Sequence, residues 1–266
     1  MGLAGKVAII TGSGGVGSGR AIARRMARDG VSVVVCDVNE AGGRETVALI
    51  ETAGGRAAFL RTDVGVEADI CALIAFAEKT YGGLDILVNN ASAPYEPQGP
   101  LTGWIDTVQV DLLGTLYGTL HAVEAMRRRG GGAILNVSST SALGHGRKHS
   151  KSPAYDVAKV GVLRLTTTLA WLADAEKIRV NCLVPDWVAT PEVKTYWDAL
   201  TPEERRAQGV PEVLTTLDEI ADIVVRIVGD EQLAGRVLVW WNDQPPRLLP
   251  RGDPGYGTLE PYEKAT

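Results

Sequence analysis

The chain has 266 residues, 45% of them hydrophobic and 22% charged, with a formal net charge of -5. That length and balance suit one large α/β domain or two small ones with an ample core, and the acidic balance argues against a non-specific nucleic-acid binder. Cys36, Cys71 and Cys182 are far apart and form no C-x-x-C pair or His/Cys cluster, so no metal site is expected and a reducing cytoplasm fits.

Residues 1–6 lead directly into a short strand, so no signal peptide is expected. No apolar run approaches the ~18 residues that would span a bilayer. Val7–Thr11 reads as the first strand, followed by a glycine-rich turn over 12–19 and a helix from about Arg20 to Asp29. Val31–Cys36 is a second strand, almost wholly apolar, as a strand covered on both faces should be. A helix over Asn39–Thr52, a strand over Ala57–Leu60 and a helix over Glu67–Thr80 follow. Next come a strand over Ile86–Val88, a long helix over Thr102–Arg128 and a strand over Ala133–Val137. A helix over Tyr155–Ala173 precedes a strand over Ile178–Val184. Residues 187–214 are mixed and rich in Pro and Glu. Leu217–Val228 is the last helix and Val237–Trp241 the last strand.

This alternation predicts a single Rossmann-type, doubly wound parallel sheet of about seven strands with helices on both faces. One domain over 1–244 is expected. From Pro245 the chain is rich in proline and glycine, and is expected to form neither strand nor helix. It reads as a C-terminal arm over 245–266 that packs on a neighbouring subunit beside Trp240 and Trp241.

Thr11-Gly12-Ser13-Gly14-Gly15-Val16-Gly17-Ser18-Gly19 joins the first strand to the first helix. Glycines there permit a tight turn and close approach of the backbone to a pyrophosphate, and the helix N-terminus offers free N–H groups. Asp37, at the end of the second strand, stands where a carboxylate accepts both hydroxyls of an adenosine ribose and repels a 2′-phosphate. No Arg or Lys follows it at once (Val38, Asn39, Glu40), so NAD is favoured over NADP. The competing reading is an Asp that only caps the next turn.

Tyr155 and Lys159 are four apart and so share one helix face. A tyrosine titrates near ~10 in isolation, and a fixed cation beside it favours the phenolate. With Ser139 donating a hydrogen bond to a substrate oxygen, the three make a proton-transfer site suited to an alcohol/ketone pair. Alone, Y-x-x-x-K is a weak pattern.

Together these residues resemble the short-chain dehydrogenase/reductase family over roughly residues 5–241. The glycine motif, T-G-x-x-x-x-G-x-G here, is one residue longer than the family's, with Gly17 and Gly19 as its second and third glycines beside Gly12. Asp63-Val64 is similar to the family pair that contacts adenine, and Asn89-Asn90-Ala91-Ser92 to its N-N-A-G motif, with Ser92 in place of glycine. Pro185 and Thr190 resemble the stretch that contacts the nicotinamide amide.

The resemblance implies an NAD-dependent oxidoreductase acting on a secondary alcohol or ketone as a homotetramer or homodimer. Tyr155 would be the general acid/base, Lys159 the support of Tyr155 and the ribose, and Ser139 the residue that orients the substrate oxygen. Gly12, Gly17, Gly19, Asp37, Asp63, Val64, Asn90, Tyr155, Lys159, Pro185 and Thr190 would hold the cofactor. An NAD-using dehydratase or epimerase on the same fold is the alternative, and a non-catalytic nucleotide sensor is disfavoured by the intact Ser–Tyr–Lys set.

Two positions depart from the family. Asp111 stands where an Asn usually holds a water in the proton relay, and is either part of that relay or a helix Asp turned to solvent. Asp186 replaces the glycine of a Pro-Gly turn, either as a benign turn residue or as a carboxylate near the substrate or the nicotinamide. The loop His145-Gly146-Arg147-Lys148-His149-Ser150-Lys151 is either a solvated basic loop or an anion-binding rim. Residues 187–214, with Trp187, Tyr196 and Trp197, correspond to the family's substrate lid. The aromatics either line an apolar pocket or serve as packing anchors for the lid or for subunit contacts.

Overall fold

The computed structural model describes residues 2–94, 102–144, 152–242 and 244–252. Eight strands form one sheet in the order β3-β2-β1-β4-β5-β6-β7-β8. These are β1 (Val7–Thr11), β2 (Ser32–Asp37), β3 (Arg56–Arg61), β4 (Ile86–Asn89), β5 (Gly132–Val137), β6 (Ile178–Pro185), β7 (Val237–Trp240) and β8 (Arg247–Leu248). All pairs are parallel except β7–β8. The order reverses direction between β1 and β4, which opens a crevice at the carboxyl ends of these strands.

Helices cover both faces, and two apolar layers result. On one side α1 (Ser18–Arg28) and α10 (Leu217–Gly229) press Ile22, Met26, Val224 and Ile227 against Ile10, Val33 and Val35. On the other, α3 (Glu67–Tyr81) and α5 (Gly114–Arg129) press Ile70, Leu73, Ala122 and Met126 against Ile9, Val34 and Leu87. Both faces being apolar explains why β1, β2 and β4 read as unbroken hydrophobic runs rather than alternating ones.

The structure refines the expected elements where local composition is least decisive. The long helix before β5 is interrupted. α4 (Trp104–Val108) runs into a π turn, Gln109–Leu113, and then into α5. A π turn carries one more residue than an α turn and shifts which side chains face inward. The helix expected over Tyr155–Ala173 is α6 (Pro153–Thr168) followed by a separate α7 (Leu172–Glu176). Ser152 starts α6 by accepting a hydrogen bond from the Tyr155 N–H, with Pro153 at the first helical position. Residues 187–214 are more ordered than their composition suggests. They contain α8 (Pro191–Asp198) and α9 (Pro202–Gln208), each started by a Thr cap and a Pro.

The largest correction concerns the tail. It does extend the sheet: Arg247 and Leu248 pair antiparallel with Val239 and Leu238 of β7. The two residues lie between Pro246 and Pro250, so the prolines that cannot donate to a ladder fall outside the paired positions.

Candidate active site

Four loops at the carboxyl ends of β1, β4, β5 and β6 converge on the crevice. Gly12 opens the first loop at φ +67°, and a Cβ there would lie 2.8 Å from Ala91 Cα. Gly17 caps α1 without a side-chain hydrogen bond. A Cβ on it would meet only the Thr190 methyl, at 3.9 Å. A Cβ on Gly19 would lie 2.2 Å from the Gly12 carbonyl oxygen, so Gly19 lets α1 pack on the turn. Gly12 thus makes the turn, Gly17 leaves space above the helix end and Gly19 permits packing.

The extra residue of the loop is absorbed before Gly17, toward α2 (Glu40–Thr52). Gly14 donates its N–H to Asp37 Oδ2 at 2.8 Å and accepts at its carbonyl from Arg20 at 3.0 Å. Arg20 is buried and also reaches the Gly42 carbonyl and Glu45. Asp37 is half-buried at the end of β2, where its Oδ1 also accepts the Asn39 N–H at 2.9 Å. Its carboxylate therefore caps the turn, as the turn-capping reading of Asp37 expects.

Asn90 ties the loops together. Its side-chain amide donates to the Thr11 carbonyl at 2.9 Å, and its N–H donates to Thr11 Oγ1. Thr11 Oγ1 accepts from Ala91 as well. Asp63 accepts the Gly65 N–H, while Val64 is buried against Gly114. Pro185 pairs with Trp240 at the end of β6, and Thr190 caps α8 beside Gly17.

The structure brings Ser139, Tyr155, Lys159 and Asp111 together. Ser139 follows β5 and caps the short 3-10 turn Thr140–Leu143. Its side chain stands near the Tyr155 phenol, where it favours the phenolate. Lys159 is 3% exposed, one turn along α6 from Tyr155, with Nζ 5.3 Å from the phenol ring centroid. Nζ donates to the Val137 carbonyl at 3.2 Å and lies 3.0 Å from Asp111 Oδ1. Asp111 sits in the π turn at 0% exposure, and its Oδ2 accepts the Ala93 N–H at 2.9 Å. The solvent-facing reading of Asp111 is therefore overturned.

Electrostatics follow from burial. The Tyr155 phenol is pushed above the ordinary tyrosine value, first by desolvation and then by Asp111, against the pull of Lys159 and Ser139. Lys159 does favour the phenolate, but desolvation and Asp111 together outweigh it. Desolvation works to lower the Lys159 ammonium, yet Asp111, Tyr155 and Cys182 together hold it above the ordinary lysine value. Burial pushes the nearby Cys182 thiol up to about 12, so it stays protonated and inert at neutral pH.

Some contributors were not singled out from sequence. Asn136 of β5 donates to Thr166 of α6 and accepts from Asn89 of β4, so it links three elements that end at the site. A polar residue inside an apolar strand was the available signal. Ser138 Oγ donates to the Lys159 carbonyl at 2.8 Å. Thr140 Oγ1 donates to Asp186 Oδ1 at 2.9 Å, and Asp186 donates its N–H to the Trp240 carbonyl. Asp186 is thus a carboxylate engaged by Thr140, the residue that follows Ser139, and is more than a plain turn residue. Trp187 and Tyr196 stack with centroids 6.0 Å apart, while Trp197 is held by Arg205 and the Pro211 carbonyl. Trp197 is therefore a packing anchor within residues 187–214. The basic loop 145–151 lies outside the described residues.

Residues 6–200 match the sequence profile of the short chain dehydrogenase family. The chain belongs to this family. Short-chain dehydrogenases of known name are similar along most of its length. A cis-4-hydroxycyclohexanecarboxylate dehydrogenase of Sinomonas cyclohexanicum is 39% identical over 194 residues, covering 71% of this chain and 75% of the relative. A cyclohexanol dehydrogenase of an Acinetobacter species is 33% identical over 234 residues, covering 85% and 88%. A solved 7α-hydroxysteroid dehydrogenase, complexed with NADH and 7-oxo glycochenodeoxycholic acid, superposes with a TM-score of 0.78 at 30% identity, covering 90% of this chain and 93% of that one. As a short-chain dehydrogenase the chain is an oxidoreductase by family. No helix among the described residues is long and apolar enough to cross a membrane.

Proposed function

We infer that the protein is an NAD-dependent oxidoreductase acting on a ring-bearing secondary alcohol or its ketone, with Tyr155 as general acid/base. The observation that carries this reading is the cluster in which Ser139 stands near the half-buried Tyr155 phenol while buried Lys159, one turn away, has its Nζ 5.3 Å from the phenol ring. Bound nicotinamide supplies or accepts the hydride. Tyr155 gives its proton to the carbonyl oxygen in reduction and takes it from the hydroxyl in oxidation. Ser139 donates to the same oxygen, and Lys159 supports the phenol and a ribose hydroxyl.

The residues present fit a dinucleotide. The space above Gly17 at the start of α1 suits a pyrophosphate, which the uncapped helix end would attract. Gly12, Gly19 and Asn90 shape that floor, Asp63 and Val64 border the adenine side, and Pro185 and Thr190 border the nicotinamide side. Asp37 favours NAD, because its carboxylate would meet a 2′-phosphate with like charge. The alicyclic substrates named for two relatives, with the stacked Trp187 and Tyr196 of the lid, support an apolar ring as the substrate body.

A homodimer or homotetramer fits the exposed apolar side chains Ile105, Leu120, Val157 and Val160 on the adjoining helices α4, α5 and α6. Buried, unpaired Cys36 and Cys182 suit a reducing compartment such as the cytoplasm. The test is to incubate the protein with NAD or NADP and a panel of secondary alcohols, cyclohexanols included, while following reduced nicotinamide. Turnover with NAD that Tyr155→Phe abolishes, with NAD binding retained, is expected. Turnover surviving in Tyr155→Phe would refute the assignment, and a product lacking water relative to the substrate would favour the dehydratase.

A further inference from the structure

A chain that leaves a sheet loses its ladder partners, and its backbone groups need others. β6 ends at Pro185, opposite Trp240 of β7, and Asp186 still donates its N–H to the Trp240 carbonyl at 3.0 Å. At Trp187 the side chain of Asn242 takes the place of a strand. Its Oδ1 accepts the Trp187 N–H at 2.8 Å, and its Nδ2 donates to the Trp187 carbonyl at 2.8 Å. A side-chain amide carries donor and acceptor on one planar group, as a peptide does, so it supplies one complete rung. Nδ2 also donates to Thr215 Oγ1 at 3.0 Å. Thr215 is buried, donates its N–H to the Trp187 carbonyl at 3.0 Å and accepts the Ala189 N–H at 2.8 Å. Asn242 thus joins the chain entering residues 187–214 to the chain leaving them.

The residues held in this way run from one part of the site to another. Asp186 accepts from Thr140 Oγ1 at 2.9 Å, next to Ser139. Four residues on, the Thr190 methyl is the atom that a Cβ on Gly17 would meet, at 3.9 Å. Residues 186–190 therefore link the Ser139 end of the crevice to the glycine turn. The Asn242 rung lies between these two contacts, at Trp187.

We propose that Asn242 is a positioning residue for the nicotinamide half of the cofactor, acting through residues 186–190. This deepens the function proposed above and rests on its placement of the nicotinamide beside Pro185 and Thr190. With the rung in place, the segment is ordered before the cofactor arrives. Without it, the Trp187 backbone has to be ordered on binding, and that entropy is subtracted from the affinity. The adenosine half lies at the glycine turn and Asp37 in the same placement, so its binding does not depend on the rung.

Asn242→Ala removes the rung. Asn242→Asp keeps an acceptor for the Trp187 N–H but sets a carboxylate oxygen against the Trp187 carbonyl. The full-length protein and both variants are titrated with NADH and with AMP, which carries only the adenosine half. Hydrogen exchange of the same proteins is followed without ligand. Both variants should lose about tenfold in NADH affinity and keep their AMP affinity. Residues 186–190 and Thr215 should exchange about tenfold faster or more, with β1 and β2 unchanged. NADH and AMP weakened alike would mean a general loss of structure and would overturn the proposal. NADH binding unchanged while the segment exchanges faster would overturn it too. So would rapid exchange of residues 187–190 in the wild type, a measurement that needs no variant to fold. A wild-type protein that binds AMP and NADH equally would overturn the nicotinamide placement itself, and faster exchange in Asn242→Ala would still establish the rung.

Discussion

Asn136→Ala tests whether the polar chain beneath the site holds its parts together. Asn136 is 0% exposed, as is Thr166, and Asn89 is 5% exposed. Asn136 donates to Thr166 Oγ1 at 3.0 Å and accepts from Asn89 Nδ2 at 2.9 Å. Truncation removes both bonds, at about 1 kcal/mol each. Thr166 keeps its bond to the Val162 carbonyl and Asn89 keeps Thr119, so only one Asn89 N–H is orphaned outright. That orphan adds about 1 kcal/mol, for a total near 3 kcal/mol before any cavity cost. For a domain of this size the melting temperature should fall by about 6–10 °C. Urea unfolding and calorimetry at one protein concentration measure both quantities. Because β5 carries Ser139 and α6 carries Tyr155 and Lys159, kcat should fall with stability. A double-mutant cycle with Thr166→Val should return a coupling of about 1 kcal/mol between the two positions. A loss under ~1 kcal/mol in Asn136→Ala, or strict additivity in the cycle, would refute the reasoning.

Two further outcomes follow from the loop geometry. Gly19→Ala places a methyl 2.2 Å from the Gly12 carbonyl oxygen and 2.8 Å from Asn90 Nδ2, so the turn must shift and NADH affinity should drop by about tenfold or more. Gly15→Ala, whose added methyl meets nothing within 4 Å, should bind normally, and equal binding by both variants in fluorescence titration would count against the assigned glycine roles. Asp37→Ala frees the Gly14 N–H and removes the carboxylate proposed to meet the adenosine ribose. NAD affinity should fall about tenfold, worth ~1.4 kcal/mol, while that for NADP rises. Unchanged NAD/NADP discrimination by calorimetric titration would show that Asp37 serves only the turn.

Much of this protein is legible without tertiary structure because its signals are local. The apolar runs of β1 and β2, the glycines at 12, 17 and 19, and the four-residue step from Tyr155 to Lys159 each depend on a few neighbouring residues. Each also has one stable geometry in a strand, a turn or a helix. The exceptions have equally definite causes. A π turn leaves no period in the sequence, so Gln109–Leu113 read as ordinary helix and the direction of Asp111 stayed open. Proline content argued against a strand after Pro245, yet two residues between prolines suffice once β7 offers an edge. Asn136, a polar residue inside an apolar run, found its meaning only when Asn89 and Thr166 arrived beside it.

The sequence by itself determined the doubly wound sheet, the place of the glycine turn and the identity of the Ser139, Tyr155 and Lys159 set, since each is written in spacing and residue type. Tertiary structure alone decided that Asp111 meets Lys159 rather than solvent, that Asp186 is engaged by Thr140, and that burial leaves the Tyr155 phenol above its ordinary value. The physical reason is range. Backbone geometry is set within a few residues, whereas the proton affinity of a buried group depends on every charge and every lost water around it. Those neighbours come from segments of the chain that meet only when the sheet has formed.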